Sequence, residues 1–278
     1  MPETNSIIFY PVRNKFLSGA NGIKLSIVIP AYNEEARIGG CLNSILAEMN
    51  GKNYDMEIVV VNNASTDKTR EIIASFPEVK LVDEPDKGLV KARRAGFIAS
   101  RGELVANLDA DTRMTAGWFD KVLEEFAKNS KLVALSGPFI YYDLSKKARA
   151  AVRTFYYAGF LSYLVNRYLL GVGSMLQGGN FVVKRTALEA VGGFNSDFDF
   201  WGEDTDLARR LVKVGGVKFT FGLPIYASGR RLEKEGIAKT GWRYTLNYFS
   251  TTFFKKPYDS VKKDFKYKYE KTLAKIKE

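Results

Sequence analysis

The chain contains no histidine. That absence excludes Ser-His and Cys-His nucleophilic catalysis, histidine zinc sites and imidazole general bases together. Any proton transfer falls to carboxylates, Lys, Tyr or the single cysteine. With Cys41 alone no intramolecular disulfide forms, which fits a reducing compartment. Cys41 sits among Ile38, Leu42, Ile45 and Leu46, the setting of a buried apolar thiol rather than a reactive one. Long apolar runs are also missing: the nearest approach to the roughly 18 residues of a spanning helix, Phe155 to Met175, is broken by Asn166 and Arg167. The opening stretch MPETNSIIFYPVRNKFLSGANG lacks a basic segment followed by a continuous apolar one, so no signal peptide is expected. A cytoplasmic protein is expected, soluble or peripheral on the inner face of the membrane.

Two phosphate-binding signatures are absent as well. After the first strand comes Pro30-Ala31-Tyr32-Asn33-Glu34 where a dinucleotide fold carries Gly-X-Gly-X-X-Gly, and there is no Walker loop. What remains is a chain of 278 residues, 46% hydrophobic, able to build a substantial core. Its formal charge of +11 is unevenly spread: Arg230 to Glu278 carries 14 Lys+Arg against 6 Asp+Glu, a net of +8. The basic character therefore belongs to the tail, which suits an anionic surface or ligand there. No nucleic-acid motif accompanies it, so a nucleic-acid partner is not expected.

Strand and helix patterns alternate from residue 24 onward. KLSIVI (24–29), EIVVV (57–61), Val79 to Val82 and Glu103 to Leu108 read as strands. Between them lie a helix with apolar Ile38, Cys41, Leu42, Ile45, Leu46 and Met49, one carrying Ile72 and Ile73 entered through Ser65 or Thr66, and one over Leu89 to Ala99. The pattern predicts an α/β fold, a mainly parallel central sheet flanked by helices. Further on, Thr115 opens a helix carrying Trp118, Phe119, Val122 and Phe126, Leu132 to Gly137 and Phe181 to Lys184 read as strands, and a helix after Trp201-Gly202-Glu203-Asp204 buries Leu207, Leu211 and Val214. Three divisions follow: an extension (1–23), the α/β domain (24–229) and a basic, aromatic-rich helical appendage (230–278).

In open α/β sheets ligands bind at the carboxyl ends of the strands. Here those ends carry Tyr32-Asn33-Glu34, Asn62-Asn63 and Asp109-Ala110-Asp111. Alternate residues of an extended chain share a side, so Asp109 and Asp111 come close together, and a cation such as Mn²⁺ or Mg²⁺, completed by substrate phosphates, relieves their repulsion. On its own an Asp-X-Asp tripeptide is equally an acidic surface turn.

The order of motifs resembles the family 2 glycosyltransferases, whose catalytic domain has the GT-A fold. SIVIPAYNEEARIGGCLNSIL, VVVNNASTDKTREII, the segment from Val79 through NLDADT, GGNFVVKRTALEAVGGF and WGEDTDLARRLVKVG are similar to that family's successive blocks, over about residues 24 to 228. The resemblance implies that Ala31, Tyr32 and Glu34 line a nucleoside pocket, that Asn62 faces the base, that Asp109 holds ribose or metal and that Asp111 ligates the metal. It implies Asp204 as the base toward an acceptor hydroxyl, Glu203 as its neighbour or an acceptor ligand, and inversion at the anomeric carbon. The family usually has Asp where this chain has Asn62, which leaves a UDP- or GDP-sugar open.

Around this core the residues leave alternatives. Lys87 and Arg93 either touch the nucleotide phosphates or belong to a solvated face. Gly178-Gly179-Asn180 offers bare backbone to a ligand or makes a turn. Trp201 belongs to the acceptor side with them. Arg230 and Arg231 either clamp a diphosphate or phosphorylated acceptor or form a solvated pair. The aromatic and basic stretch around Tyr141 to Tyr168 is either an interfacial helix or a cover packed on the sheet. The expected partners are a nucleotide-sugar donor, a glycan or lipid-linked acceptor and an anionic membrane surface. A lipid phosphate as acceptor is the alternative within the class, and a basic nucleic-acid-binding protein or an inactive nucleotide-sugar binding module are the alternatives from other classes.

Overall fold

The computed structural model describes residues 8–9, 24–169, 175–198 and 200–258. The Lys-rich end of the appendage and nearly all of the extension lie outside these. In chain order the elements are β1 (Ile8–Phe9), β2 (Leu25–Ala31), α1 (Ile38–Met49), β3 (Met56–Asn63), α2 (Thr69–Ala74), β4 (Val79–Glu84), α3 (Leu89–Ala99) and β5 (Leu104–Leu108). Then follow β6 (Thr112–Arg113), α4 (Trp118–Lys128), β7 (Leu132–Ser136), β8 (Phe139–Tyr141), α5 (Lys146–Leu164), β9 (Asn180–Lys184) and α6 (Arg185–Ala190). The last are α7 (Glu203–Leu211), β10 (Gly216–Phe219), β11 (Ile225–Ala227), α8 (Arg230–Glu235) and α9 (Ile237–Phe249). Single π-helical stretches extend α5 over Val165–Leu169 and α9 over Ser250–Phe254.

Among the described residues eight strands form one sheet in the order β1-β4-β3-β2-β5-β9-β7-β10, and β6-β11-β8 form a small second sheet. Strands β4, β3, β2 and β5 are parallel, as the alternation predicts. Every residue of β3 is buried, the mark of a strand covered on both faces. Ile27 and Ile29 of β2 point into a core with Ile38, Leu42, Ile45, Trp118 and Phe119 of α1 and α4. Val28 points the other way, into a core with Val90, Ala92 and Ala95 of α3 and Leu207 and Leu211 of α7. At Gly96 of α3 a Cβ would stand 2.3 Å from Val28 Cγ1, so glycine lets that helix lie on the sheet.

The parallel run ends at β5. Strand β9 lies antiparallel to both β5 and β7 (Asn180 opposite Leu108, Phe181 opposite Ser136), because after α5 the chain re-enters the sheet at the carboxyl end of β5. That reversal sets the turn before β9 beside Asp109.

Three local expectations are corrected. Asp67, not Ser65 or Thr66, accepts the free amide at the start of α2 (Thr69 N, 3.0 Å), while Ser65 and Thr66 brace Asn33. Thr115 does not cap α4. Its hydroxyl donates to Pro224 O at 2.7 Å, and the chain enters the helix through Gly117 at φ +76°. Val214 lies past the end of α7 and is exposed. Among the described residues no helix is long and apolar enough to cross a membrane.

Candidate active site

The end of β5 is built around Asp109. Its amide donates to Gly179 O at 3.3 Å, and its carbonyl accepts from Thr112 N at 3.1 Å and Thr112 Oγ1 at 2.8 Å. Gly179 has φ +88°, and a Cβ on it would stand 2.2 Å from Asp109 Cγ. A side chain there is excluded on both counts. Beneath this turn the Cys41 thiol is pushed up to about 12 by burial, so it stays protonated packing, as its sequence neighbours indicate.

Arg93 of α3 runs under the site. It is 1% exposed, hydrogen-bonds Glu203 at the first turn of α7, lies 3.7 Å from Asp109 and sits over the Phe181 ring at 5.4 Å. Burial pushes the Glu203 carboxyl up to about 7 against the pull of Arg93, with Asp204 and Asp109 adding repulsion. Asp204, the next residue, is half-buried. Its Oδ2 accepts from Gly178 N at 2.9 Å and its Oδ1 from Thr205 N at 2.7 Å. Burial raises its pKa, and Arg93 and these amides work in the opposite direction. Two orphaned atoms, Arg93 Nε and Glu203 Oε2, remain without a hydrogen-bond partner in this buried layer.

On the opposite wall Arg230 opens α8. Its guanidinium forks onto both carboxylate oxygens of Glu34 and lies 3.4 Å from Asp111 Oδ2. Glu34 is set by its own amide, which donates to Thr69 Oγ1 at 2.7 Å. Burial raises Asp111 to about 7, with Asp109 and Glu34 adding to the rise and Arg230 opposing it. Arg231 stacks on Phe200 (4.5 Å) and Trp201 (5.7 Å), and Lys87 Nζ lies 3.7 Å from the centre of the Tyr32 ring.

One cavity of about 1500 Å³ joins these groups. Ala31, Tyr32, Glu34, Lys87, Arg93, Asp109 and Asp111 line it, together with Gly178, Trp201, Glu203, Asp204, Arg230 and Arg231. The alternative of a solvated face is excluded for Arg93, which is buried, while Arg230 and Arg231 are half-buried on the cavity wall. Three expected residues do not line it. Asn62 is buried and donates to Asp83 Oδ1 at 2.8 Å, while its neighbour Asn63 lines the cavity. Asn180 is used up by the fold: Nδ2 donates to Gly137 O and Leu223 O, and Oδ1 accepts from Trp118 Nε1. Gly179 acts through its carbonyl and its bare Cα. Asn63, placed at a strand end by the sequence but given no role there, braces the loop into α3 through Asp86 O and Gly88 N, and Tyr244, which sequence reasoning missed, meets Arg231. Asn63 follows from strand alternation once Asn62 faces Asp83; nothing in the local sequence marks Tyr244.

Among the described residues no group of three or more His, Cys, Asp or Glu is placed to hold a metal ion. Asp109 and Asp111 offer hard oxygens that suit Mg²⁺ or Mn²⁺, which keep several positions for water and substrate phosphate. Two carboxylates fit an ion completed by a diphosphate, not a closed structural site.

The model described as "Glycosyl transferase family 2" matches residues 26–192, and one described as "N-terminal domain of galactosyltransferase" matches residues 172–227. Among curated proteins, a dolichyl-phosphate beta-glucosyltransferase of Trichomonas vaginalis is 38% identical over 117 residues, 38% of this chain and 36% of the relative. A poly-beta-1,6-N-acetyl-D-glucosamine synthase of Staphylococcus epidermidis is 30% identical over 196 residues, 68% of this chain and 44% of the relative. The chain spans less than half the length of either. Among solved structures, a mannosyltransferase of Pyrobaculum calidifontis in complex with GDP-Man and Mn²⁺ superposes with TM-score 0.61 at 21% identity, covering 83% of this chain and 63% of that one. S. aureus TarS in complex with UDP-GlcNAc gives TM-score 0.55 at 16% identity, covering 74% and 58%. The α/β fold expected from sequence is thus the fold of these GT-A transferases.

Proposed function

Because this chain belongs to glycosyl transferase family 2, we propose that it moves a sugar from a nucleoside-diphosphate donor, a UDP- or GDP-sugar, to a hydroxyl of a glycan or lipid acceptor with inversion at the anomeric carbon. One observation carries the proposal: Asp109 and Asp111 share a single cavity with Asp204, and the Gly178-Gly179 turn touches all but Asp111, through Gly179 at Asp109 and Gly178 at Asp204.

The chain's own groups divide the work. Tyr32, Glu34 and Asn63 border the donor end, where a nucleoside lies. Asp109 and Asp111 would hold Mn²⁺ or Mg²⁺, which when bound neutralises charge developing on the departing diphosphate. Arg230 and Arg231 offer guanidinium donors to the same oxygens. On the other side of the sugar, Asp204 accepts the proton of the acceptor hydroxyl. The freed oxygen bonds the anomeric carbon from the face opposite the diphosphate as the bond to the leaving oxygen breaks. The amides of Gly178 and Thr205 fix Asp204 for that role, and Arg93 holds Glu203 behind it.

Exposed Trp242, Phe249, Phe253 and Phe254, followed by Lys255 and Lys256, support a peripheral contact of the appendage with an anionic membrane. The test of the central reading is a thermal-shift screen of UDP- and GDP-sugars with and without Mn²⁺. A donor that stabilises only with the ion, and not in Asp111→Ala, supports it. Stabilisation indifferent to both ion and Asp111 rejects it.

A further inference from the structure

Beyond Asp204 the cavity continues between α5 and α9, and its chemistry changes. Residues 151–162 of α5 and 237–249 of α9 furnish its walls. Those helices carry Lys146, Lys147, Arg149 and Arg153, and Lys239 and Arg243, yet not one of these six lines the cavity. Val152, Phe155, Ile237, Trp242 and Phe249 do. The polar groups beside them are spent within the protein: the Tyr156 hydroxyl donates to Gln177 Oε1 at 2.7 Å, Thr245 to Gly241 O at 3.0 Å, and the Tyr248 hydroxyl accepts from Asn166 at 3.1 Å. Phe155, Phe249 and Trp242 stay substantially exposed. An apolar wall left open to water is unfavourable unless something covers it.

Two features indicate an occupant of chain-like shape. At 1.5 Å per helical residue, the stretch 151–162 of α5 spans roughly 17 Å, longer than a sugar ring requires. Gly159, in the middle of α5, costs helix propensity, and a Cβ there would meet nothing within 4 Å. The glycine leaves space at the wall that alanine or leucine would fill.

Resting on the transferase reading of the same cavity, we propose that the acceptor is a lipid-linked hydroxyl compound, whose apolar chain lies between α5 and α9 while its hydroxyl reaches Asp204. The occupant is continuous with the catalytic end, and the exposed aromatics at the C-terminal end of α9 give the chain a route from a bilayer. Proton transfer selects the head. Asp204, with Glu203 held behind it by Arg93, stands at the transfer point as a proton acceptor, which a neutral sugar hydroxyl uses and an already ionised lipid phosphate does not.

The experiment is binding of n-alkyl β-D-glucosides from hexyl to decyl, below their micellar concentrations, followed by tryptophan fluorescence. Trp201 and Trp242 line the cavity and report occupancy. The expected result is affinity rising about fourfold per added methylene in the wild type and a flattened series in Gly159→Leu, whose melting temperature shows it folded. A flat wild-type series, or an equally steep one in folded Gly159→Leu, overturns the groove. Decyl phosphate binding more tightly than the decyl glucoside, at equal chain length, overturns the assigned head. Nucleotide sugar with Mn²⁺ is titrated into the same wild-type sample. Donor binding with a flat alkyl series rejects this inference alone, and failure of both rejects the transferase reading with it.

Discussion

Gly179 meets Asp109 so closely that a Cβ would stand 2.2 Å from the carboxyl carbon, at a backbone φ of +88°. Gly179→Ala therefore has to displace Asp109 as well as strain its own backbone. The expected result is a loss of about 1–3 kcal/mol in stability and the loss of Mn²⁺-dependent donor binding. Urea unfolding and thermal shift with nucleotide sugar measure the two separately.

Arg93 and Glu203 form an ion pair with 1% and 6% of the side chains exposed. Removing one partner leaves the other buried and unpaired, at a cost of about 3–5 kcal/mol. Arg93→Met is expected to fall in that range, and the double variant Arg93→Met/Glu203→Gln to recover a large part of the loss. Chemical denaturation of both settles it, and a double variant no more stable than the single contradicts the pairing.

Asp111 and Glu203 are each raised to about 7 by burial. A carboxyl whose folded pKa lies above its unfolded value of about 4 binds extra protons in the folded state. Folding is then most favoured below about pH 4 with respect to these groups, and their contribution is lost as pH rises through about 7. Ligand-free protein is thus expected to lose stability between about pH 4 and pH 7, and Mn²⁺ binding to release protons below pH 7 and tighten as pH rises. Calorimetry in two buffers of different ionisation enthalpy counts those protons.

Asp204→Asn keeps the shape and removes the proton acceptor. Transfer to a hydroxyl acceptor is expected to fall by about 10²–10⁴ in kcat, with donor-dependent thermal shift retained. Full activity in this variant, read by release of nucleoside diphosphate in the presence of acceptor, would favour an acceptor that arrives already ionised, such as a lipid phosphate.

The strands and the acidic pair were legible because their signals are local: KLSIVI and EIVVV are continuous apolar runs, and Asp109 and Asp111 follow a third. The absence of histidine left any proton transfer to carboxylates, Lys, Tyr or the single cysteine. The rest was set by long-range packing. Strand β9 runs antiparallel because the chain re-enters at the far end of β5, a fact about α5 and not about Phe181–Lys184. Asn62 looked like a base ligand beside two strand ends, yet Asp83 on the adjacent strand β4 claims its amide. Asn180 sat between a glycine pair and a strand, and three partners distant in sequence, Trp118, Gly137 and Leu223, take its side chain. Arg230 read as half of a phosphate clamp or of a solvated pair, and its fork onto Glu34 joins residues 196 apart in the chain.

The central claim is that a divalent ion joins the Asp111 carboxylate to a donor pyrophosphate. Crystals soaked with Mn²⁺ and a UDP- or GDP-sugar test it by anomalous scattering at the manganese edge. The account predicts a peak in contact with Asp111, phosphate oxygens on its other side and Arg230 turned from Glu34 toward them. A nucleotide sugar bound with no ion at Asp111, or a crevice left empty, contradicts it.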